Sequence, residues 1–312
     1  MQSPTEVRLL STHFGWILEA FVKESAEAVG EEINIIRVPV GRREYLNPST
    51  WNVTRNLKPK SEKLVFIHHE TLIRNASKIN NRSVRLLLTH FDSSELIDST
   101  KFNRMSSVER IVVQNNQMKK ILIDKLNIEE AKIVVGYGAV NRNKYFPLEQ
   151  KTFNDYIIIV GDCKPRKNPR LISDLVVLNP SLNFVIHGIG WEDSLSERAL
   201  QAKNLRLVPF SQEKNPVLIR QARLLLSLST NEGGPIPILE ALASGTPVFA
   251  TDTGFSSDFI TAESGIVVPV GVEGSEISPL LEKAMNLKSN CWERDLLSGR
   301  CNWRDLGLLL YG

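Results

Sequence analysis

Cysteine is scarce in this chain: 312 residues contain only Cys163, Cys291 and Cys301, and none of these form a C-x-x-C pair. That excludes a disulfide-stapled scaffold and leaves a cysteine-type metal site nothing to build on. Also missing is any apolar run approaching the ~18 to 20 residues of a membrane span, and the first residues show neither the charged nor the apolar region of a signal peptide. The expectation is a soluble, cytoplasmic protein. Net charge is only +3, too small for a general nucleic-acid binder. There are no internal repeats or low-complexity tracts, which argues against a solenoid or a disordered chain.

What is present is enough apolar residue, 42% of the chain, to bury substantial cores. A length near 300 residues suits two domains better than one. The charge is unevenly spread. Residues 1 to 150 carry 22 basic against 17 acidic residues, and the remainder 16 against 18. Much of the basic excess falls in Arg42 to Lys63, beside Tyr45 and Trp51; it either touches an anionic acceptor or membrane surface as a peripheral contact, or is a solvated loop.

Short apolar runs alternate with helical patterns along the whole chain. Val7 to Ser11, Ile33 to Val38, Leu64 to His68, Val84 to Thr89, Arg110 to Gln114 and Lys132 to Val135 read as strands, with helices over Trp16 to Val29 and Asn116 to Leu126. A second series runs through Tyr156 to Val160, Phe184 to His187, Leu205 to Val208, Leu224 to Leu228, Val248 to Ala250 and Ile266 to Val268. Two strand-and-helix series imply an α/β protein with two parallel, Rossmann-like sheets. The aperiodic piece Leu148 to Asp155 separates them, giving domains over 1–150 and 151–300.

The densest chemical signal is Ser229 to Val248, STNEGGPIPILEALASGTPV. It follows a buried strand, places glycines and prolines before a short helix, and brackets the turn with Glu232 and Glu240. A helix start behind a glycine-rich loop offers backbone N–H groups and a positive dipole end to phosphate or sugar oxygens. The two glutamates are too far apart for a glycosidase pair. Such carboxyl groups sit about 5 to 9.5 Å apart, whereas eight residues of helix span about 12 Å. Each is better placed to hold a different part of one long ligand.

At these residues the chain resembles the retaining family 4 glycosyltransferases of GT-B fold, whose signature is a Glu, seven residues and a second Glu within S-x-x-E-G-x-P-x-x-x-L-E-A-x-A-x-G-x-P-V. Every fixed position of that pattern is present. Asp252 to Ile260 is similar to the family's D-x-G-G-x-x-E-I segment, with Phe255 for its second glycine and Asp258 for its glutamate. Ser264 to Pro269, Asn204 to Phe210, Val160-Gly161 with Lys167-Asn168, and Asn141 to Pro147 resemble its other blocks in order, and Cys301 to Tyr311 its closing helix. The likeness is dense over residues 156 to 270 and thin before residue 110.

The resemblance implies two Rossmann-like domains facing a central cleft, with residues 301–312 packing back on the first. It implies transfer of a sugar from a nucleotide diphosphate sugar to a saccharide, lipid-linked or other hydroxyl acceptor, with retention, without a metal or any cofactor beyond the donor. On this reading Glu232 positions the hexose and Glu240 the ribose, with Gly233, Gly234, Pro235 and Ile236 around the donor. Strand Tyr156 to Val160 ends in Gly161-Asp162-Cys163-Lys164-Pro165-Arg166-Lys167-Asn168-Pro169, where Asn168 suits an N-cap and Pro169 the first helical position. Three cations beside a helix start form a diphosphate cradle, or an exposed basic turn. Lys167 matches the family's lysine, Asp162 takes the place of its arginine, and Arg166 or Lys164 is the substitute.

In the first series only Gly15 is present where the family pairs glycines near the diphosphate, and an ordinary tight turn fits equally. His90 matches a strand-end histidine aimed at the donor sugar, with a buried, satisfied histidine as the competing reading. Gly188 reads as a close approach to the nucleotide, Gly190 as a turn, and the Pro209-Phe210-Ser211 loop as either a base contact or a plain loop. His68-His69 is discounted as a metal pair because adjacent strand residues face opposite ways. A second reading of the whole chain is a catalytically impaired relative that binds a nucleotide sugar or a partner, supported by the missing arginine and glycine. An epimerase or phosphorylase on a similar scaffold is a third.

Overall fold

The structure, a computed structural model, describes residues 3–10, 17–38, 61–75, 79, 83–89, 105–148, 155–287, 297 and 300–312. The described residues form two compact units, residues 1–139 with 301–312 and residues 140–300.

In the first unit, strands β1 (Thr5–Leu10), β2 (Ile33–Val38), β3 (Lys63–Ile67), β4 (Ser83–Leu88), β5 (Arg110–Val113) and β6 (Ile133–Val135) make one sheet of order β2-β1-β3-β4-β5-β6. All its pairings are parallel. Helices α1 (Ile17–Val29), α2 (His69–Asn75) and α3 (Asn116–Leu126) connect the strands. Asn115 caps α3 by accepting the Met118 amide at 2.6 Å, and Asn127 closes it in the left-handed region. Every residue of β1 is buried, charged Glu6 and Arg8 included. Period-two alternation puts both on one face, where Arg8 donates to Asn75 Oδ1 at 2.6 Å and Glu6 accepts the Ser61 amide at 3.0 Å.

The second unit holds β7 (Ile157–Val160), β8 (Phe184–His187), β9 (Leu205–Val208), β10 (Leu224–Ser227), β11 (Val248–Thr251) and β12 (Gly265–Val268), ordered β12-β11-β10-β7-β8-β9. These pairings are parallel too. Short apolar runs, buried throughout in β7, β8 and β11, produce this, since parallel strands need helical crossovers that cover the sheet. The crossovers are α4 (Pro169–Leu178), α5 (Glu197–Leu200), α6 (Asn215–Gln221), α7 (Ile236–Ala243) and α8 (Ser256–Phe259), and α9 (Gly274–Met285) follows the last strand. The core joins Ile157, Ile172, Leu175, Phe184, Trp191, Leu226, Phe249 and Leu281.

The chain divides at residues 139/140 rather than at 150. Residues 140–148 go with the second unit because Tyr145 accepts the Asn215 amide at 2.9 Å and Arg220 lies 4.4 Å over the Phe146 ring. The last helix, α10 (Trp303–Tyr311), lies in the first unit, with Trp303 edge-on to Phe21 at 4.9 Å. A Cβ at Gly307 would come within 2.3 Å of the Ser25 carbonyl oxygen, so only glycine lets the helix sit this close to α1. Lys63 reaches the Tyr311 carbonyl at 2.9 Å and Arg85 that of Leu309 at 3.3 Å, placing cations at the negative end of the helix.

Candidate nucleotide-sugar site

The strand order of the second unit reverses between β7 and β10, and open α/β sheets bind ligands outside the carboxyl ends of the strands at such a point. Chemistry-bearing side chains from both strand ends converge there. After β7, a turn over Pro165–Lys167 presents Arg166 and Lys167. After β10 comes Glu232, whose Oε1 accepts Lys167 Nζ at 2.6 Å and Ser229 Oγ at 2.8 Å and forms an ion pair with Arg166 Nη1 at 2.5 Å. The two loops are locked further by the Thr230 amide on the Arg166 carbonyl at 2.7 Å. Burial alone would push the Glu232 carboxyl up, but the Lys167 and Arg166 charges and the Ser229 hydroxyl outweigh it and hold it at about 2.

Glu240, one face of α7 away, has the opposite surroundings. Ile236, Ile238, Leu239, Ala241 and Leu242 of the same helix are all buried, and so is Glu240. Its Oε2 accepts Asn215 Nδ2 at 3.1 Å, and the same amide nitrogen donates to the Tyr145 hydroxyl at 2.9 Å. Burial outweighs the polar Tyr145 and Asn215 side chains and raises the carboxyl to about 7. The Tyr145 phenol is raised likewise, by burial first and then by the Glu240 charge.

Other candidate residues acquire specific surroundings. Asn168 stands at the N-cap, but in the left-handed region and without a side-chain cap bond, so its amide does not work as expected; Pro169 does begin α4. Asp162 accepts the Ile189 amide at 3.3 Å and is turned toward the β8 loop, Lys164 is exposed, and Arg166 is the cation beside Lys167. Gly188 is fixed by its own protein: a Cβ there would lie 2.0 Å from the Gly161 carbonyl oxygen and 3.0 Å from Trp191 Nε1. That clearance by itself requires a glycine here. Phe210 is 44% exposed, its ring 5.1 Å from that of buried His187, whose Nε2 bonds the backbone of Ser211. Gly233 and Pro235 are buried and Gly234 is half-buried, with Ile236 opening α7. Gly15 and His90 lie outside the described residues.

Three residues of this site escape a reading of the motif alone, in which Ser229 already stands as the first fixed position. Asn215 bonds Glu240, Tyr145 accepts from that same amide, and Gly254 supports the loop from beneath. A Cβ at Gly254 would meet Pro235 Cδ at 2.8 Å and the Gly233 carbonyl oxygen at 3.1 Å, and its φ is +60°. Tyr145 and Gly254 fall within segments singled out from the sequence; Asn215 carries no local signal.

The first unit has its own switch point, between β1 and β3. There the strand stops at Ile67, one residue before the sequence reading. His68 takes φ 75° and His69 begins α2, so their rings stand 4.3 Å apart instead of on opposite faces. Left-handed backbone on a non-glycine residue at a strand's carboxyl end is uncommon and concentrates at functional positions. Among the described residues no group of three or more His, Cys, Asp or Glu side chains is placed to hold a metal ion.

Comparison with known proteins fits this geometry. The family described as Glycosyl transferases group 1 matches residues 140–294, the second unit almost from end to end. The O-antigen chain mannosyltransferase RfbU of Salmonella typhimurium is 27% identical over 228 residues, covering 68% of this chain and 63% of that protein. The chain thus matches less than two thirds of that relative's length. Sucrose-phosphate synthase from Thermosynechococcus elongatus superposes with a TM-score of 0.75 at 15% identity over 97% of this chain and 96% of its own. Anabaena HepE in complex with UDP-glucose does so with 0.74 at 14% identity over 98% of each chain. At such identities the likeness is one of fold, and the fold is GT-B. No helix among the described residues is long and apolar enough to cross a membrane.

Proposed function

We propose that the chain is a glycosyltransferase that moves a sugar from a nucleotide diphosphate sugar to a hydroxyl acceptor, with retention of configuration and without a metal ion. One observation carries the reading: Lys167 and Arg166 from the end of β7 converge with Glu232 from the end of β10 at the switch point of a parallel sheet. A donor diphosphate is a natural partner for two cations fixed at that edge. Its arrival would exchange phosphate oxygens for the Glu232 carboxylate and leave Glu232 to take hydroxyls of the hexose. As the sugar departs, negative charge grows on the leaving phosphate, and preorganised cations stabilise it without a divalent ion. Glu240 is the acceptor for ribose hydroxyls. The Salmonella relative's name makes a mannosyl donor the first to try.

The test is incubation of the purified protein with a panel of nucleotide sugars and hydroxyl acceptors, following release of free nucleotide, with Glu240→Ala as control. Donor-dependent release lost in the control supports the reading. Absence of release with every donor, with or without acceptor, overturns it. Binding without turnover supports the second reading, a catalytically impaired relative that binds the nucleotide sugar; the feature favouring it is Asp162, which stands where the resembled family has a phosphate-binding arginine and is spent on the Ile189 amide.

A further inference from the structure

We infer that Tyr145 and Asn215 are positioning residues that hold Glu240 for the hydroxyl pair of a nucleotide ribose. This rests on the donor reading above and adds residues which that reading does not require.

The geometry is a fork of two hydrogen bonds from one amide nitrogen. An asparagine amide has two N–H protons. In Asn215 Nδ2 makes two bonds, to Glu240 Oε2 at 3.1 Å and to the Tyr145 hydroxyl oxygen at 2.9 Å. The one nitrogen thus ties the phenol and the carboxyl together, and the phenol, by accepting one of the two N–H groups, fixes how the amide presents the other to Glu240. An ionised carboxylate offers about four acceptor sites, and Asn215 takes one. Others suit a vicinal diol.

Two further features show that the cluster is set against the local grain. Asn215 is 4% exposed, and its Oδ1 has no hydrogen-bond partner among the described residues. The amide thus keeps its orientation toward Glu240 while its own acceptor stays buried and unused, which native proteins do sparingly. Tyr145 is aimed by an Asn141 turn, in which the Asn141 carbonyl accepts the Lys144 and Tyr145 amides, each at 3.0 Å. A helix face as apolar as that of α7 would otherwise leave a carboxyl protonated. Tyr145 and Asn215 work against that, and Arg220 of α6, whose charge acts on the Tyr145 phenol, faces the same cluster.

The assignment is tested by titration calorimetry of UDP, GDP and ADP, each beside its dideoxyribose analogue, on the wild-type chain and on Tyr145→Phe and Asn215→Ala. Losing one such hydrogen bond corresponds to about fivefold in affinity. The expected result is a loss of about that size for the ribonucleotide in each variant, with a change of less than about twofold for the dideoxy analogue. A residue that merely supports the fold would weaken both ligands alike. In Tyr145→Phe the pH below which ribonucleotide affinity falls should also move upward, because the hydroxyl beside the carboxyl, which favours its charged form, is gone. Equal loss for both ligands, or unchanged affinity for the ribonucleotide, overturns the assignment. If the wild-type chain itself binds no nucleotide, the donor reading fails together with the assignment, an outcome distinguishable because it precedes any substitution. Thermal unfolding of both variants identifies a folding failure, and the conservative Tyr145→Phe then decides alone.

Discussion

Glu232 and Glu240 stand eight positions apart on one loop and helix, yet the loop end holds its carboxyl at about 2 while the helix end lets its carboxyl rise to about 7. Exposure does not separate them, at 8% and 9%. Neighbours do. Glu232 meets two cations and a hydroxyl, whereas Glu240 meets an amide and a phenol inside an apolar helix face. Burial by itself favours a neutral carboxyl, and at Glu232 two full charges, helped by a hydroxyl, reverse it. A site that needs one carboxylate ionised at any physiological pH, and another responsive near neutrality, can be made from identical residues.

The largest expected effect comes from removing the dominant partner of the loop carboxylate. Lys167→Met leaves Glu232 buried with Arg166 alone, and chemical denaturation at neutral pH should show a loss of about 3 kcal/mol. Under the proposed function, transfer should fall by at least about a hundredfold, as for the loss of one preorganised donor at a transition state. Unchanged stability would show that the triad is not formed in solution.

The pH dependence of stability sharpens the contrast. The Glu232 carboxyl is depressed, so its contribution is present above the ordinary carboxylate value near 4.3 and is lost as pH falls toward about 2. The Glu240 carboxyl is raised, so its contribution is complete below that ordinary value and is lost as pH rises through about 7. Glu240→Gln should therefore stabilise the protein by about 2 kcal/mol above neutrality, and by much less at acid pH. The same change should abolish discrimination between ribose and dideoxyribose. Unfolding free energies across the pH range, with nucleotide titrations, check both parts.

Smaller changes probe the loop's support. Gly254→Ala puts a methyl against Pro235 and Gly233 at a positive φ, and should lower stability by about 2 kcal/mol while moving the loop that carries Glu232. Thermal unfolding and donor affinity should fall together; a fall in stability alone would mean that the loop is held elsewhere. Arg166→Lys is the mildest change. It keeps the charge on Glu232 but gives up the guanidinium's reach to the Asn231 carbonyl, now at 3.3 Å, for an expected cost of about 1 kcal/mol.

Much of the fold was legible because short apolar β-branched runs flanked by turn residues have few other uses. Every strand proposed in either series is a strand of the two sheets. The limits appear at His68, where the apolar run gave no sign that the chain leaves the strand in a left-handed step. They appear again at residues 140–147, which a boundary set at Leu148 to Asp155 assigns to the first domain although Tyr145 docks on Asn215 of the second unit. Within the site, the two glutamates, Lys167 and the Gly-Gly-Pro loop could be picked out from one contiguous pattern and one strand-end turn. Their pairings could not, for Lys167 bonds Glu232 across 65 residues and Tyr145 bonds Asn215 across 70.

The sequence by itself determined two parallel α/β sheets and the identity of the groups at the end of β10, because hydrophobic period and turn chemistry act over a few residues. Tertiary structure alone decided that Arg166 is the cation beside Lys167, that Asp162 is turned away, that Gly188 and Gly254 are glycines for backbone clearance, and that two like carboxyls titrate apart. The physical reason is that charge, hydrogen bonding and burial are set by neighbours in space, and in a parallel sheet those neighbours arrive from strands far apart in the chain.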